Sequence, residues 1–269
     1  GYEVRVCDSA VCGVGFTWPP PVEVPDAAPA AAALGGVTGL VAGAMASASV
    51  RAFLGALRPG SLVVDVGAGT GLRARALADA GHRVIAVEPD AKEALRATAE
   101  LASTSVEVHR AGVDDLPEVL DGRQADGVLM WHVLEHLESP DFALAGVGEL
   151  MAGGGVLGVA VPNRASLEAQ VFGDRWHAWE PARHRWHFDE RSLRLVIGAA
   201  GFGVSAIAAR GGWGYPSSLA YSLAPGLDPQ VQPGRSLAGR ALAAALVPVA
   251  AAARMAGRGA QLVAVARRA

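Results

Sequence analysis

The run Val63-Val64-Asp65-Val66-Gly67-Ala68-Gly69-Thr70-Gly71 ends an apolar stretch in a carboxylate and follows it with glycines at alternate positions. An apolar, β-branched run of this kind is a buried strand, and parallel α/β sheets bind ligands at the carboxyl ends of such strands. Glycine lets the backbone approach the ligand with no Cβ between them, so a bulky residue at Gly67 is expected to fill ligand space. The spacing narrows the choice of ligand. A dinucleotide fingerprint, G-x-G-x-x-G, would require glycine where this chain has Leu72. The next apolar run, residues 84–90, carries a second carboxylate, Glu88, before Pro89, where a carboxylate can accept both hydroxyls of a ribose.

A second reactive group, Trp131, His132, Glu135 and His136, follows the apolar run at 125–130. His132 to His136 spells H-x-x-E-H, which in zinc proteases requires one helix presenting both histidines to the metal. Here it follows a sheet strand, so peptidase chemistry is set aside. A third group lies in residues 172–188, where Phe172, Trp176, Trp179, Trp186 and Phe188 crowd around Arg175, Arg183, Arg185 and His184. Such aromatics form either an apolar lid over an organic acceptor or a satellite core, and the arginines either recognise an anionic acceptor or face solvent. A near-neutral pKa suits histidine to general-base work, which makes His184, His136 and His132 catalytic candidates, with a buried histidine that bonds backbone to hold the loop as the alternative for His136.

These groups need a scaffold. Short apolar runs at 61–66, 82–87, 106–109, 125–130, 155–161 and 203–209 alternate with helical stretches, which predicts six parallel strands covered on both faces, with 260–268 as a seventh. Thr70 is placed to cap a helix over 71–80, Asp90 one over 91–101, and Ser139 or Asp141 one ending near Met151. Gly81 and Gly153 fall where helix stops are expected.

The glycine loop, the acidic end of the second strand, the Leu-Glu-His run at 134–136 and the Pro-Asn ending at 162–163 together resemble the class I S-adenosylmethionine-dependent methyltransferases. Residues 172–202 look like the insertion and helix of the branch that includes the ubiquinone-biosynthesis O-methyltransferases and many natural-product enzymes. The resemblance implies a doubly wound, Rossmann-like α/β fold with a seven-stranded sheet in the order 3-2-1-4-5-7-6, strand 7 antiparallel, and helical insertions at the N-terminus and after the fifth strand. It implies S-adenosylmethionine as cofactor, held by Asp65, Gly67, Ala68, Gly69, Gly71, Glu88 and Pro89, with Trp131 and His132 at its methionine end. Where much of the family reads adenine with an aspartate this chain has Gly112, which leaves Val113 and Asp114 for that role. A small-molecule acceptor is expected, methylated on oxygen before carbon or nitrogen, against Trp176, Trp179, Arg183 and Trp186, with His184 at the mouth of the acceptor pocket. No metal is expected; the alternative is a divalent ion on His132, Glu135, His136 and His184. The segment Cys7 to Phe16 resembles the second half of a zinc ribbon, so residues 1–26 are expected to be an unmetallated appendage. Residues 27–269 then form the methyltransferase domain, with an insertion at 164–190 and a helical excursion at 215–258.

Composition fits this reading. With 269 residues, 51% apolar and 18% charged, and a net charge of -3, the chain is expected to be globular with no general affinity for nucleic acid. Cys7 and Cys12 are too few for a disulfide framework, which predicts a cytoplasmic setting. Residues 27–50 and 241–253 are uncharged but too rich in small residues, or too short, to span a bilayer. A trimmed or truncated start is expected at Gly1. Two rivals remain: a nicotinamide dehydrogenase, disfavoured by Leu72 and by the lone lysine Lys92, and a catalytically silent binding module.

Overall fold

A computed structural model describes residues 2–9, 12–21, 36–211, 218, 245 and 248–269. Strands β1 (Glu3–Val6) and β2 (Gly15–Trp18) form an antiparallel hairpin, followed by helix α1 (Gly36–Leu54). Strands and helices then alternate: β3 (Leu62–Val66), α2 (Leu72–Asp79), β4 (Arg83–Val87), α3 (Ala91–Leu101), β5 (Glu107–His109), α4 (Leu116–Leu120), β6 (Ala125–Trp131), α5 (Pro140–Glu149) and β7 (Met151–Pro162). Helix α6 (Leu167–Phe172) and the two-residue strand β8 (Trp186–His187) occupy the insertion, and α7 (Glu190–Ala199), β9 (Phe202–Arg210) and β10 (Gln261–Arg268) complete the order.

The main sheet runs β5-β4-β3-β6-β7-β10-β9. Its first five strands are mutually parallel, and β10 lies antiparallel between β7 and β9. Counted in chain order this is the expected 3-2-1-4-5-7-6. All five residues of β3 are buried, because alternate side chains enter opposite layers: Val64 and Val66 pack with Ile85 and Met130, while Val63 packs with Phe53, Leu77 and Leu129.

Local chemistry sets the helix ends, with two corrections. Asp90 caps α3, accepting the N–H groups of Lys92 and Glu93 at 2.8 and 2.9 Å, and Gly81, at φ +88°, follows α2 as expected. Thr70 does not cap α2. The chain enters that helix through Gly71 at φ +83°, so the threonine sits one residue too early, and the N–H of Ala74 bonds the buried Asp65 carboxylate instead. Nor is Gly153 a helix stop: α5 ends at Glu149 and Gly153 lies inside β7, where the pairing with β6 slips between Ala125 and Gly127.

The N-terminal hairpin is tied to the insertion. Gly15 and Phe16 pair with His187 and Trp186, and Thr17 N donates to Arg185 O at 3.0 Å. Residues 27–35 and most of the expected excursion at 215–258 lie outside the described residues. Among those described, no helix is long and apolar enough to cross a membrane.

Candidate functional site

The turn after β3 is drawn back onto β4 by the N–H groups of Gly67 and Ala68, which both donate to Val87 O at 2.8 and 3.0 Å. Gly67, Gly69 and Gly71 all have positive φ, but what they leave room for differs. A Cβ on Gly67 would lie 2.5 Å from Val133 Cγ2, and one on Gly71 would lie 2.8 Å from Leu101 Cδ1. Only Gly69 faces open space. The expectation that a side chain at Gly67 intrudes on ligand is therefore corrected: Gly67 and Gly71 are required by packing, and Gly69 forms the cradle.

Two carboxylates flank that cradle. Glu88, 8% exposed, accepts Gly69 N on Oε2 at 2.8 Å and Asp90 N on Oε1 at 2.9 Å. Burial raises its pKa against the lowering effect of those two N–H groups, and each oxygen keeps a lone pair for a further donor. Asp65 at the end of β3 is 1% exposed, its Oδ2 has no partner among the described residues, and burial pushes its carboxyl up to about 7 despite the nearby Arg73 charge. Trp131 ends β6 on the neighbouring side, and the Arg73 guanidinium lies over its ring at 4.6 Å. Pro89 and Asp114 are exposed and Val113 is half-buried. The turn that presents them is held by Asp115, which sequence reasoning missed; its Oδ2 accepts Gly112 N at 2.7 Å.

The histidine cluster begins at His132, a non-glycine residue in the left-handed region at φ +56°. Its Nδ1 meets Glu135 Oε1 at 3.0 Å and its Nε2 meets Gln261 Oε1 at 3.2 Å. Glu135 is fully buried, and its Oε2 has no partner among the described residues. Burial would raise its pKa, but the His132 hydrogen bond and the surrounding histidines hold it down at about 2.

His136 and His184 complete the group, their rings 4.7 Å apart. Nδ1 of His136 bonds Arg183 O at 3.2 Å, and Nδ1 of His184 bonds Ala178 O at 2.9 Å. A carbonyl only accepts, so both Nδ1 atoms carry the proton and both Nε2 atoms present a lone pair. One ligand atom each from Glu135, His136 and His184 lies within 4.8 Å of the other two. His184 is buried rather than at a pocket mouth, and burial pushes it and His136 down to about 4, not the near-neutral value expected from sequence. The N-terminal hairpin meets this segment through Thr17, which bonds the His184 carbonyl and the ring of His187, a residue also missed from sequence whose pKa is pushed down to about 3 by burial.

Trp179 and Trp186 spend their indole N–H groups within the protein, whereas the buried Trp176 Nε1 has no partner among the described residues. Trp176 is 2% exposed and packs with Ala169 and Ala178. Trp179 donates Nε1–H to Gly173 O and stands edge-on to Trp176 and His187; Trp186 donates to Leu137 O. Arg183 pairs with Glu180 at 3.3 Å. Trp176 thus sits in a small satellite core whose Ala178 carbonyl meets His184, and Trp176 and Trp179 also line a cavity with Tyr2, Val4 and His177.

The sequence matches a family described as a methyltransferase domain over residues 42–207, which span β3 to β7 of the main sheet and the first part of β9. The chain belongs to this methyltransferase family. It is similar to a ubiquinone biosynthesis O-methyltransferase from Azorhizobium caulinodans, 30% identical over 162 residues, or 56% of this chain and 63% of the relative. A second, from Xanthomonas campestris, is 32% identical over 124 residues, 45% of this chain and 52% of the relative. The chain thus spans less than two thirds of the length of these curated relatives. Among solved structures, a SAM-dependent methyltransferase from Thermotoga maritima shares the fold at TM-score 0.55, with 19% identity over 86% of this chain and 92% of that chain.

Proposed function

We propose that this methyltransferase family member uses S-adenosylmethionine to methylate a small organic acceptor, on oxygen in the first instance. The observation that carries the cofactor reading is the cradle: open space at Gly69, whose N–H is held by a Glu88 carboxylate with lone pairs to spare. In this reading Glu88 accepts the ribose hydroxyls, the loop from Gly67 to Gly71 receives the central part of the cofactor, and Trp131 and His132 border its methionine end. Val113 and Asp114 lie beside the adenine. The cofactor supplies an electrophilic methyl group on sulfur, and the protein's work is to align a nucleophile with it and keep water out.

An acceptor hydroxyl must also lose a proton, and here the histidine cluster enters. The Nε2 lone pairs of His184 and His136 are the protein's proton acceptors at this site. With pKa values near 4 they are weak bases, far below a phenol-type hydroxyl at about 10. That mismatch, with the unpartnered Oε2 of Glu135, favours a second element: Glu135, His136 and His184 as ligands of a divalent cation, with His132 fixing the Glu135 carboxylate. Such a cation, when bound, lowers the pKa of a hydroxyl that touches it. The relatives named as O-methyltransferases support oxygen as the acceptor atom.

Calorimetry with S-adenosylhomocysteine and NAD tests the cofactor. Binding of the first and not the second is expected. Binding of NAD alone would return the chain to the dehydrogenase reading, and cofactor binding without methylated product across an acceptor panel would favour the silent module.

A further inference from the structure

A cavity of about 560 Å³ lies between the N-terminal hairpin and the insertion, and no residue of the cradle or of the Glu135, His136 and His184 cluster lines it. Its size falls in the range in which proteins take up small organic molecules. Tyr2, just before β1, and Val4 within it form one wall, and Trp176, His177 and Trp179 form another. The two indoles stand at 85° with centroids 5.0 Å apart, so they make a corner rather than a stack. Aromatic faces carry negative potential and attract cations.

Charge selects in the same direction. The carboxylates of the lining are Glu3, Asp174 and Glu180, and no lysine or arginine lines it among the described residues. Glu3 pairs with Arg5 at 3.0 Å and Glu180 with Arg183 at 3.3 Å, but neither arginine borders the cavity. His177 is the one lining residue able to turn positive, and it is held against a carboxylate. Its Nδ1 lies 3.1 Å from Oε1 of Glu168, which is fully buried and whose Oε2 has no partner among the described residues. Ser218 Oγ donates to that same Oε1 at 2.9 Å and accepts the His177 backbone N–H at 3.2 Å. Its one proton is thereby spent, so Oγ only accepts from the ring 3.0 Å away and Nδ1 carries the ring proton. A second proton, on Nε2, would bring the His177–Glu168 pair to zero charge and not to a positive one.

A carboxylate or phosphate ligand would meet three acidic side chains with no cation in the wall to receive it. A neutral ring would suit the aromatics and gain nothing from the acids. An ammonium group on an apolar body suits both. We infer that this cavity binds an organic ammonium ion, its charge between the aromatic faces and the carboxylates of Asp174 and Glu180. The inference concerns binding alone and stands independently of the cofactor proposed above.

Calorimetry without cofactor tests it with three probes of similar size: benzylammonium, benzyl alcohol and benzoate. Benzylammonium should bind at least about tenfold more tightly than benzyl alcohol, with benzoate weaker still. The double variant Asp174→Asn, Glu180→Gln keeps the shape and removes two charges. It should weaken benzylammonium by at least about fivefold while changing benzyl alcohol affinity by less than about twofold. Tyr2→Leu, at a position 45% exposed, removes one aromatic face and should weaken benzylammonium by about two- to tenfold; it also carries the test if the double variant does not fold. Benzyl alcohol binding as tightly as benzylammonium, no benzylammonium binding at millimolar concentration, or unchanged benzylammonium affinity in either variant would overturn the inference. Equal losses of both probes in the double variant would reduce the two carboxylates to a structural role and overturn it as well.

Discussion

The hydroxyl of Thr17 donates to the carbonyl of His184 at 2.7 Å across 167 residues of sequence. Its single proton is spent there, so the 2.9 Å contact with His187 Nε2 must be a bond donated by the histidine. A hairpin expected to be an appendage thus braces the histidine cluster. Thr17→Val leaves a buried carbonyl and a buried ring N–H without partners, which should cost about 1–3 kcal/mol. A lower Tm and a lower kcat, both restored by Thr17→Ser and without change in S-adenosylhomocysteine affinity, are expected. Wild-type melting and turnover in Thr17→Val would dismiss the brace.

Glycine substitutions should separate cradle from packing. Gly69→Ala puts a methyl group into open space, at a left-handed strain of roughly 1–2 kcal/mol, so it should weaken cofactor binding far more than folding. Gly67→Ala carries similar strain plus collision with Val133, and should lower Tm much further. Melting curves beside Kd values check the order; a Gly67→Ala variant as stable as Gly69→Ala would contradict it.

Acid should unfold this protein early. His136, His184 and His187 have folded pKa values of about 4, 4 and 3 against 6.5 in the unfolded chain, so the unfolded state binds more protons as pH falls from about 6.5 towards 4. Their burial as neutral rings is therefore progressively penalised across that window. Glu135, at about 2 folded, adds to the loss below about 4.5. Asp65, raised to about 7, works in the opposite sense between about 4 and 7, and so does Glu88, whose pKa burial also raises, but these are two groups against three histidines. Tm should drop steeply between pH 6.5 and 4.5, and a flat profile there would show that the rings are not buried neutral.

The sheet was legible because its central strands are apolar on both faces and its glycine turns sit at positive φ, where glycine is favoured. Glu88 and the loop were legible for the same reason, since residue type at a strand end carries the chemistry. What the sequence hid depends on contacts between distant segments. The His184 pKa, the brace from Thr17 and the inward burial of Trp176 all follow from how the hairpin and the insertion pack, and neither periodicity nor spacing encodes that.

The last prediction concerns what assists the loss of the acceptor's proton. Glu135 Oε2 lacks a partner among the described residues, and His136 and His184 offer only lone pairs towards it, so the cluster is composed of acceptors. Acceptors gathered in a buried space need a cation or a donor to offset their mutual repulsion. Manganese titration of the wild type by calorimetry should therefore show binding, and Glu135→Gln, which keeps the shape and removes the charge, should weaken it by at least about tenfold. Treatment with a chelator should lower turnover, and a divalent ion should restore it. His184→Ala should lower kcat by roughly 10²–10⁴ while cofactor affinity stays near wild type. Turnover that is indifferent to chelation but still lost in His184→Ala would leave the histidine as base, with its pKa of about 4 visible as an acid limb well below 6.5. Turnover indifferent to both would mean that the acceptor atom carries no proton to lose, and that alignment with the methyl group is the whole of the protein's contribution.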